Sequence, residues 1–397
     1  MKLLKGEQIT FTHLEVSSIA KASDEEINQK YIKGEVRIVT EQARYPLPSI
    51  VTMIDSDDYQ LNPEFQRRHR WNNIQKSRLI ESFIMNVPIP PIFLYEDKYS
   101  HYEVMDGLQR LTAIYHFYTD KLILEGLEQW PELNGKSCTT LPVQIRKGID
   151  RRYLSSIILL QETAKDEFEA KKLKQLVFER INSGGVKLKP QESRNAIFNG
   201  PLNELCIKLG RNKFLCRTWN IPEPNGDETL PPDDLLSNDS FREMEDVELV
   251  LRFFANRQRE ELFKSSINFS NFLDNYLRYG NHLQLDTLKE MTTIFENTIE
   301  FIYNLFGEKA FWLFRQRNNK WNWYQRPTTA VFDSLMLVAT KHLNCADIIL
   351  KKQPMVDDML SDFYKLNYTT FEGRNTNPSI LKERENKFDA FFEQLIK

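Results

Sequence analysis

Four cysteines in 397 residues, Cys138, Cys206, Cys216 and Cys345, are too few and too scattered for a disulfide framework. No Cys-x-x-Cys pair exists, so a thiolate zinc site is excluded as well. They read as reduced thiols of a cytoplasmic protein. The chain also lacks the Gly-x-x-x-x-Gly-Lys-Ser/Thr loop of P-loop enzymes. Its six histidines show neither zincin spacing nor an HNH-like cluster toward the C-terminus. No Gly-x-Ser-x-Gly elbow is present. An excess of positive charge is missing too: the net charge is −3. Any contact with DNA must therefore come from a local patch or from a partner. No run approaches the ~18 apolar residues of a membrane helix, and the first residues lack the apolar core of a signal peptide. The expectation is a cytoplasmic protein with no membrane segment.

What is present is an ordinary globular balance, 41% hydrophobic and 27% charged, with 26 Phe and 15 Tyr to build an aromatic core. The length suggests two domains, or one with a long extension. Glu35–Thr40 reads as a strand, and Pro48 to Asp55 as a helix opened by its proline. Ile74, Leu79, Ile80, Phe83 and Ile84 give helical spacing over 73–86, which Pro88, Pro90 and Pro91 end. Two strands follow, Ile92–Tyr95 and Tyr102–Met105, then a helix over 109–118 and a further strand over 141–145. Residues 171–181 and 191–198 read as helices on either side of Gly184-Gly185. Residues 218–240 set Pro222, Pro224, Pro231 and Pro232 among acidic side chains, the composition of a linker. Beyond it the chain is almost wholly helical.

This gives an α+β fold class: a mixed-sheet domain over 1–217 with its motifs in 45–200, a linker over 218–240, and a mainly helical domain over 241–397.

Chemistry concentrates in residues 102–118, where a strand meets a helix through Asp106-Gly107-Leu108-Gln109-Arg110. A helix N-terminus presents unpaired N–H groups and partial positive charge to an anion. Gly107 permits close approach of a phosphate, and Arg110 can add a bidentate contact. Gln109 can position a water, and Asp106 can hold a magnesium ion or orient Arg110. The same residues also fit an ordinary turn in which Arg110 simply pairs with Asp106. Phe65-Gln66-Arg67-Arg68-His69-Arg70-Trp71 combines arginines with aromatics, which suits phosphate grip and base stacking, or else a solvated charge run anchored by Trp71. Asn182, Gly184 and Gly185 form a loop open to a ligand, or a helix C-cap. Residues 315–326, with Arg315, Arg317 and Lys320, read as a DNA-contacting loop or an anchored surface turn.

Taken in order, Asn62-Pro63-Glu64-Phe65-Gln66-Arg67 with Trp71, Pro88-Ile89-Pro90-Pro91-Ile92, Asp106–Thr112 and Arg180–Gly185 with Gln191-Glu192-x-Arg194-Asn195 resemble the GmrSD restriction-endonuclease N-terminal domain family. The resemblance implies a ParB/sulfiredoxin-like fold that binds a nucleoside triphosphate (ATP, GTP or CTP) with Mg2+, in phage defence against modified DNA. It implies catalytic roles for Asp106, Gln109 and Arg110, with Asp106 on the metal. Ligand contacts would come from Arg67, Gly107, Arg110, Asn182, Gly184 and Gly185. Arg68, Arg70, Arg315, Arg317 and Lys320 are the candidates for nucleic acid. Leu108 stands where the family motif has a glutamine, and the consequence depends on whether that side chain faces the nucleotide. Restriction members of the family often carry an HNH nuclease domain; residues 241–397 lack its signature. DNA would then be reached directly or through a partner nuclease, and self-association stays open. Two other readings remain at this point. One is a non-enzymatic adaptor or antitoxin restraining a partner such as a HEPN-type nuclease. The other is a DNA nuclease using the Asp106 site.

Overall fold

The computed structural model describes residues 3–11, 23–32, 38–61, 68, 71–160, 173–174, 176–178, 180–181, 189–226, 232–263, 267–372 and 377–397. The chain packs as two units, Val16–Leu188 and Met1–Glu15 with Lys189–Lys397. The boundary at 188/189 falls ahead of the composition change at 218–240.

The first unit is built on a five-stranded mixed sheet of order β1-β5-β3-β4-β2. Its strands are β1 (Thr40–Pro46), β2 (Tyr59–Gln60), β3 (Ile92–Lys98), β4 (His101–Asp106) and β5 (Tyr153–Leu159). β1 pairs with β5 and β3 with β4 in antiparallel fashion, while β3–β5 and β2–β4 are parallel. Its helices are α1 (Asp24–Ile32), α2 (Ser49–Asp55), α3 (Asn73–Ile84), α4 (Leu108–Tyr118) and α5 (Val143–Asp150). Asn72 starts α3 with a full capping box: its side chain accepts from the Gln75 amide at 2.8 Å, and Gln75 accepts from the Asn72 amide at 3.0 Å. Leu79, Ile80 and Phe83 of α3 and Leu111, Ile114 and Phe117 of α4 pack into one core with Ile92 and Leu94 of β3. Glu81 is buried beneath this layer. Its carboxylate accepts from the Gln129 and Trp130 amides at 2.8 and 2.9 Å, so a charge inside the unit pins the following loop.

One expected element is different. Residues 141–145 do not form a strand; Pro142 caps α5, whose Val143 is exposed. The strand comes later, at β5, where Leu154, Ser156 and Ile158 point inward between half-exposed neighbours. A short apolar run beside a proline carries no period that separates strand from helix. The expected strand at 35–40 lies mostly outside the described residues, and β1 begins at Thr40. Of the helix expected over 171–181, the described residues are helical, with Leu173 and Val177 buried.

The second unit is helical: α6 (Pro190–Ile197), α7 (Pro201–Gly210), α8 (Lys213–Trp219), α9 (Glu245–Arg257), α10 (Phe269–Gly280), α11 (Leu285–Phe306), α12 (Thr329–Lys341), α13 (Gln353–Phe371) and α14 (Pro378–Ile396), with shorter turns between. α9 is buried along almost its whole length. Phe253 meets Phe295 of α11 edge-on and Phe254 packs tilted against it, in the expected aromatic core. Its arginines are neutralised inside the unit. Arg252 pairs with Asp333 and Glu248, Arg194 with Glu248 and Asp274, and Arg257 with Glu7. The last pair, with Gln258 accepting from the Ile9 amide at 2.8 Å, fastens the N-terminal residues to the helical unit. Within 218–240, Trp219, Ile221 and Leu235 are buried.

A two-stranded hairpin, β6 (Leu313–Arg317) and β7 (Lys320–Tyr324), interrupts the helices. Asn318 and Asn319 turn it with φ of 50° and 57°, the left-handed pair that a two-residue hairpin requires and asparagine tolerates.

Candidate functional site

The Asp106–Arg110 turn is placed by the β3–β4 register. Phe93 lies opposite Asp106, so Ile92 falls beside Gly107. Gly107 adopts φ 103° and ψ 8°. A side chain there would collide with Ile92 Cγ2 and sit 2.8 Å from Ile92 Cβ, so both backbone angle and space demand glycine. α4 begins directly after it. No side chain caps this helix and its first turn holds no acid, with Asp106 the nearest acidic residue ahead of it in the chain.

Arg110, in the first turn of α4, forms an ion pair with Asp106 and donates from Nη1 to the Pro90 carbonyl at 3.1 Å. Proline cannot donate a hydrogen bond but its carbonyl accepts, so the segment that ends α3 also holds the arginine. The guanidinium carries five N–H donors, of which these two contacts use two. Gln109 Oε1 accepts from the Trp71 amide at 3.0 Å. This ties the end of the 65–71 stretch to α4, with Trp71 packed against the core. Leu108 is buried in the core of the first unit, so the residue that departs from the family motif faces the apolar interior.

The structure thus brings together Asp106, Gly107, Gln109 and Arg110. Arg67, Arg70, Asn182, Gly184 and Gly185 lie outside the described residues. The helix leading to the double-glycine segment is docked on β4 by an ion pair between Lys174 and Glu103, with Lys174 5.4 Å over the Tyr95 ring. Arg68, a candidate for nucleic-acid contact, is buried. Among the described residues no group of three His, Cys, Asp or Glu can hold a metal ion.

In the second unit, Arg317 and Lys320 are exposed on either side of the hairpin turn, while Arg315 stacks on Tyr324 with its guanidinium carbon 3.4 Å from the ring centroid. Sequence reasoning missed Pro90 and Ile92 as partners of the turn. The signals for them were the proline run preceding a strand and its place among the motifs of the family resemblance.

Residues 42–199 match the family model for the GmrSD restriction endonuclease, N-terminal domain. The match ends at Asn199, within two residues of the end of α6, and covers less than half of the chain. It contains all of the sheet but the first two residues of β1, the Asp106–Arg110 turn and α6, and ties this segment to restriction systems. Of the helical unit only residues 189–199 fall within it; the rest is unmatched. The chain matches none of the curated proteins and none of the solved structures. All four cysteines are free thiols, and burial pushes Cys138 up to about 11. Among the described residues no helix is long and apolar enough to cross a membrane.

Proposed function

We propose that this chain binds a nucleoside triphosphate at the Asp106–Arg110 turn, as the nucleotide-responsive component of a modification-dependent DNA restriction or phage-defence system. The observation that carries the reading is the uncapped start of α4 behind Gly107, with Arg110 fixed one turn in. The Gly107 backbone and the first amides of α4 hold phosphate oxygens, and Arg110 adds charge-assisted hydrogen bonds from its remaining donors. Asp106 orients Arg110 and contributes one oxygen to a magnesium ion that the phosphates complete. Gln109 already uses its oxygen on the Trp71 amide, so binding rather than hydrolysis is the property proposed. A ParB/sulfiredoxin-like fold of the first unit and engagement of DNA, directly or through a partner nuclease, belong to the same reading. The GmrSD-type match over these residues supports it. Titration of the full chain with ATP, GTP and CTP, with and without Mg2+, tests it: binding of at least one triphosphate, lost in Arg110→Ala, is the expected outcome.

A further inference from the structure

A cavity lies elsewhere, wholly within the helical unit. It encloses about 770 Å³, the size of a site for a nucleotide-sized molecule. The hairpin–helix segment lines one side with Arg315, Tyr324, Arg326 and Thr328, and Trp219 and Glu245 line another.

Three observations give the first side the chemistry of an anion site. Arg326 is exposed and Arg315 half-buried, both line the cavity, and neither forms an ion pair among the described residues. Arg315 is held flat on Tyr324, yet its Nε is buried with no hydrogen-bond partner. α12 starts here, 13 residues long, with no side-chain cap and no acid in its first turn; the Thr328 hydroxyl at its N-cap is buried and equally unpartnered. Both atoms belong to residues lining the cavity, where buried donors are ordinarily satisfied by protein or ordered water.

The lining also holds carboxylates. Glu245 accepts from Ser240 Oγ at 2.6 Å and from the Trp219 indole at 3.4 Å, which leaves acceptor capacity on the carboxylate. Glu372 holds the Tyr368 hydroxyl at 3.4 Å, and Asp239 is paired with Arg242. A ligand that suits this lining carries both an anionic group and hydrogen-bond donors.

We propose that this cavity binds a nucleoside monophosphate, its phosphate on Arg315, Arg326, the Thr328 hydroxyl and the first amides of α12, and its sugar or base donors on Glu245. The site is separate from the Asp106–Arg110 turn and does not depend on that reading.

Equilibrium dialysis of the full chain against AMP, GMP, CMP and UMP tests it, with the matching nucleosides and inorganic phosphate as further arms. At least one monophosphate binds saturably, at least about tenfold more tightly than its nucleoside or inorganic phosphate. Loss of one charge-assisted contact in Arg326→Ala weakens that binding about tenfold or more. Thr328→Val, which keeps the shape and removes the hydroxyl, weakens it too. Arg110→Ala binds as wild type does. The proposal is overturned if no monophosphate exceeds inorganic phosphate, if both cavity variants bind like wild type, or if binding is lost in Arg110→Ala and kept in Arg326→Ala.

Discussion

Arg110 sits one helical turn beyond Asp106, and the two side chains form an ion pair across the start of α4. The pair aims the guanidinium along the turn rather than away from it, and the Pro90 carbonyl fixes the opposite side of the group at 3.1 Å. A phosphate arriving at α4 meets an arginine that is already ordered, so little side-chain entropy is lost on binding.

The two roles assigned to Asp106 separate in one variant. Asp106→Asn keeps an acceptor near Arg110 but removes the charge that would hold a metal. Triphosphate binding without Mg2+ persists, and the gain that Mg2+ gives wild type disappears. Isothermal titration with and without the cation measures both. An unchanged Mg2+ gain in the variant removes Asp106 from the metal site.

Gly107→Ala is strained twice, by its left-handed backbone and by collision with Ile92. Gly135 is also left-handed, φ 82°, but has open space around it. Gly135→Ala therefore costs about 1 kcal/mol, and Gly107→Ala roughly 2 kcal/mol or more, because crowding adds to the backbone term. Chemical denaturation of the two variants side by side isolates the collision with Ile92. Equal losses contradict the packing described for the turn.

The Glu7–Arg257 pair is buried on both sides. Removing one partner leaves an uncompensated charge inside the helical unit, a loss of about 3–5 kcal/mol. Glu7→Ala is expected to show this in denaturant unfolding, and deletion of the first seven residues to show at least as much. A change within the range of a surface substitution contradicts the anchoring of the N-terminal residues.

Burial raises the Glu248 pKa, but the Arg194 and Arg252 guanidinium groups outweigh it and hold the carboxyl below the ordinary range. A lowered folded value means the stabilisation is complete above the unfolded value, near ~4.3, and is lost as the pH falls through the folded one. Glu248→Gln is expected to be less stable at neutral pH and to lose less on acidification below that value. Parallel unfolding curves for the two proteins across the acid range are the contrary result.

Much of the first unit is legible in the sequence because its signals are local. Helical spacing over Leu79, Ile80 and Phe83, the prolines after them, and a glycine between a strand and a helix each act within a few residues. The Asp106–Arg110 turn was readable for the same reason. What Arg110 and Gln109 touch was not, because Pro90 and Trp71 arrive 20 and 38 residues away in the chain. β5 was missed because Tyr153–Leu159 mixes serines into its apolar run, and the strand was expected at 141–145 instead. The Glu7–Arg257 pair, 250 residues apart, has no sequence signature at all. The hairpin cavity was half legible: Arg315, Tyr324 and Arg326 stood out as a segment, but their grouping with Trp219 and Glu245 is tertiary.

The central claim is tested most directly by calorimetric titration of purified full-length protein with ATP, GTP and CTP in the presence of Mg2+, comparing wild type with Arg110→Ala. The account predicts saturable binding of at least one triphosphate by wild type and a loss of about tenfold or more in the variant, with an unchanged unfolding midpoint. Absence of binding for all three, or identical affinities in the two proteins, contradicts it.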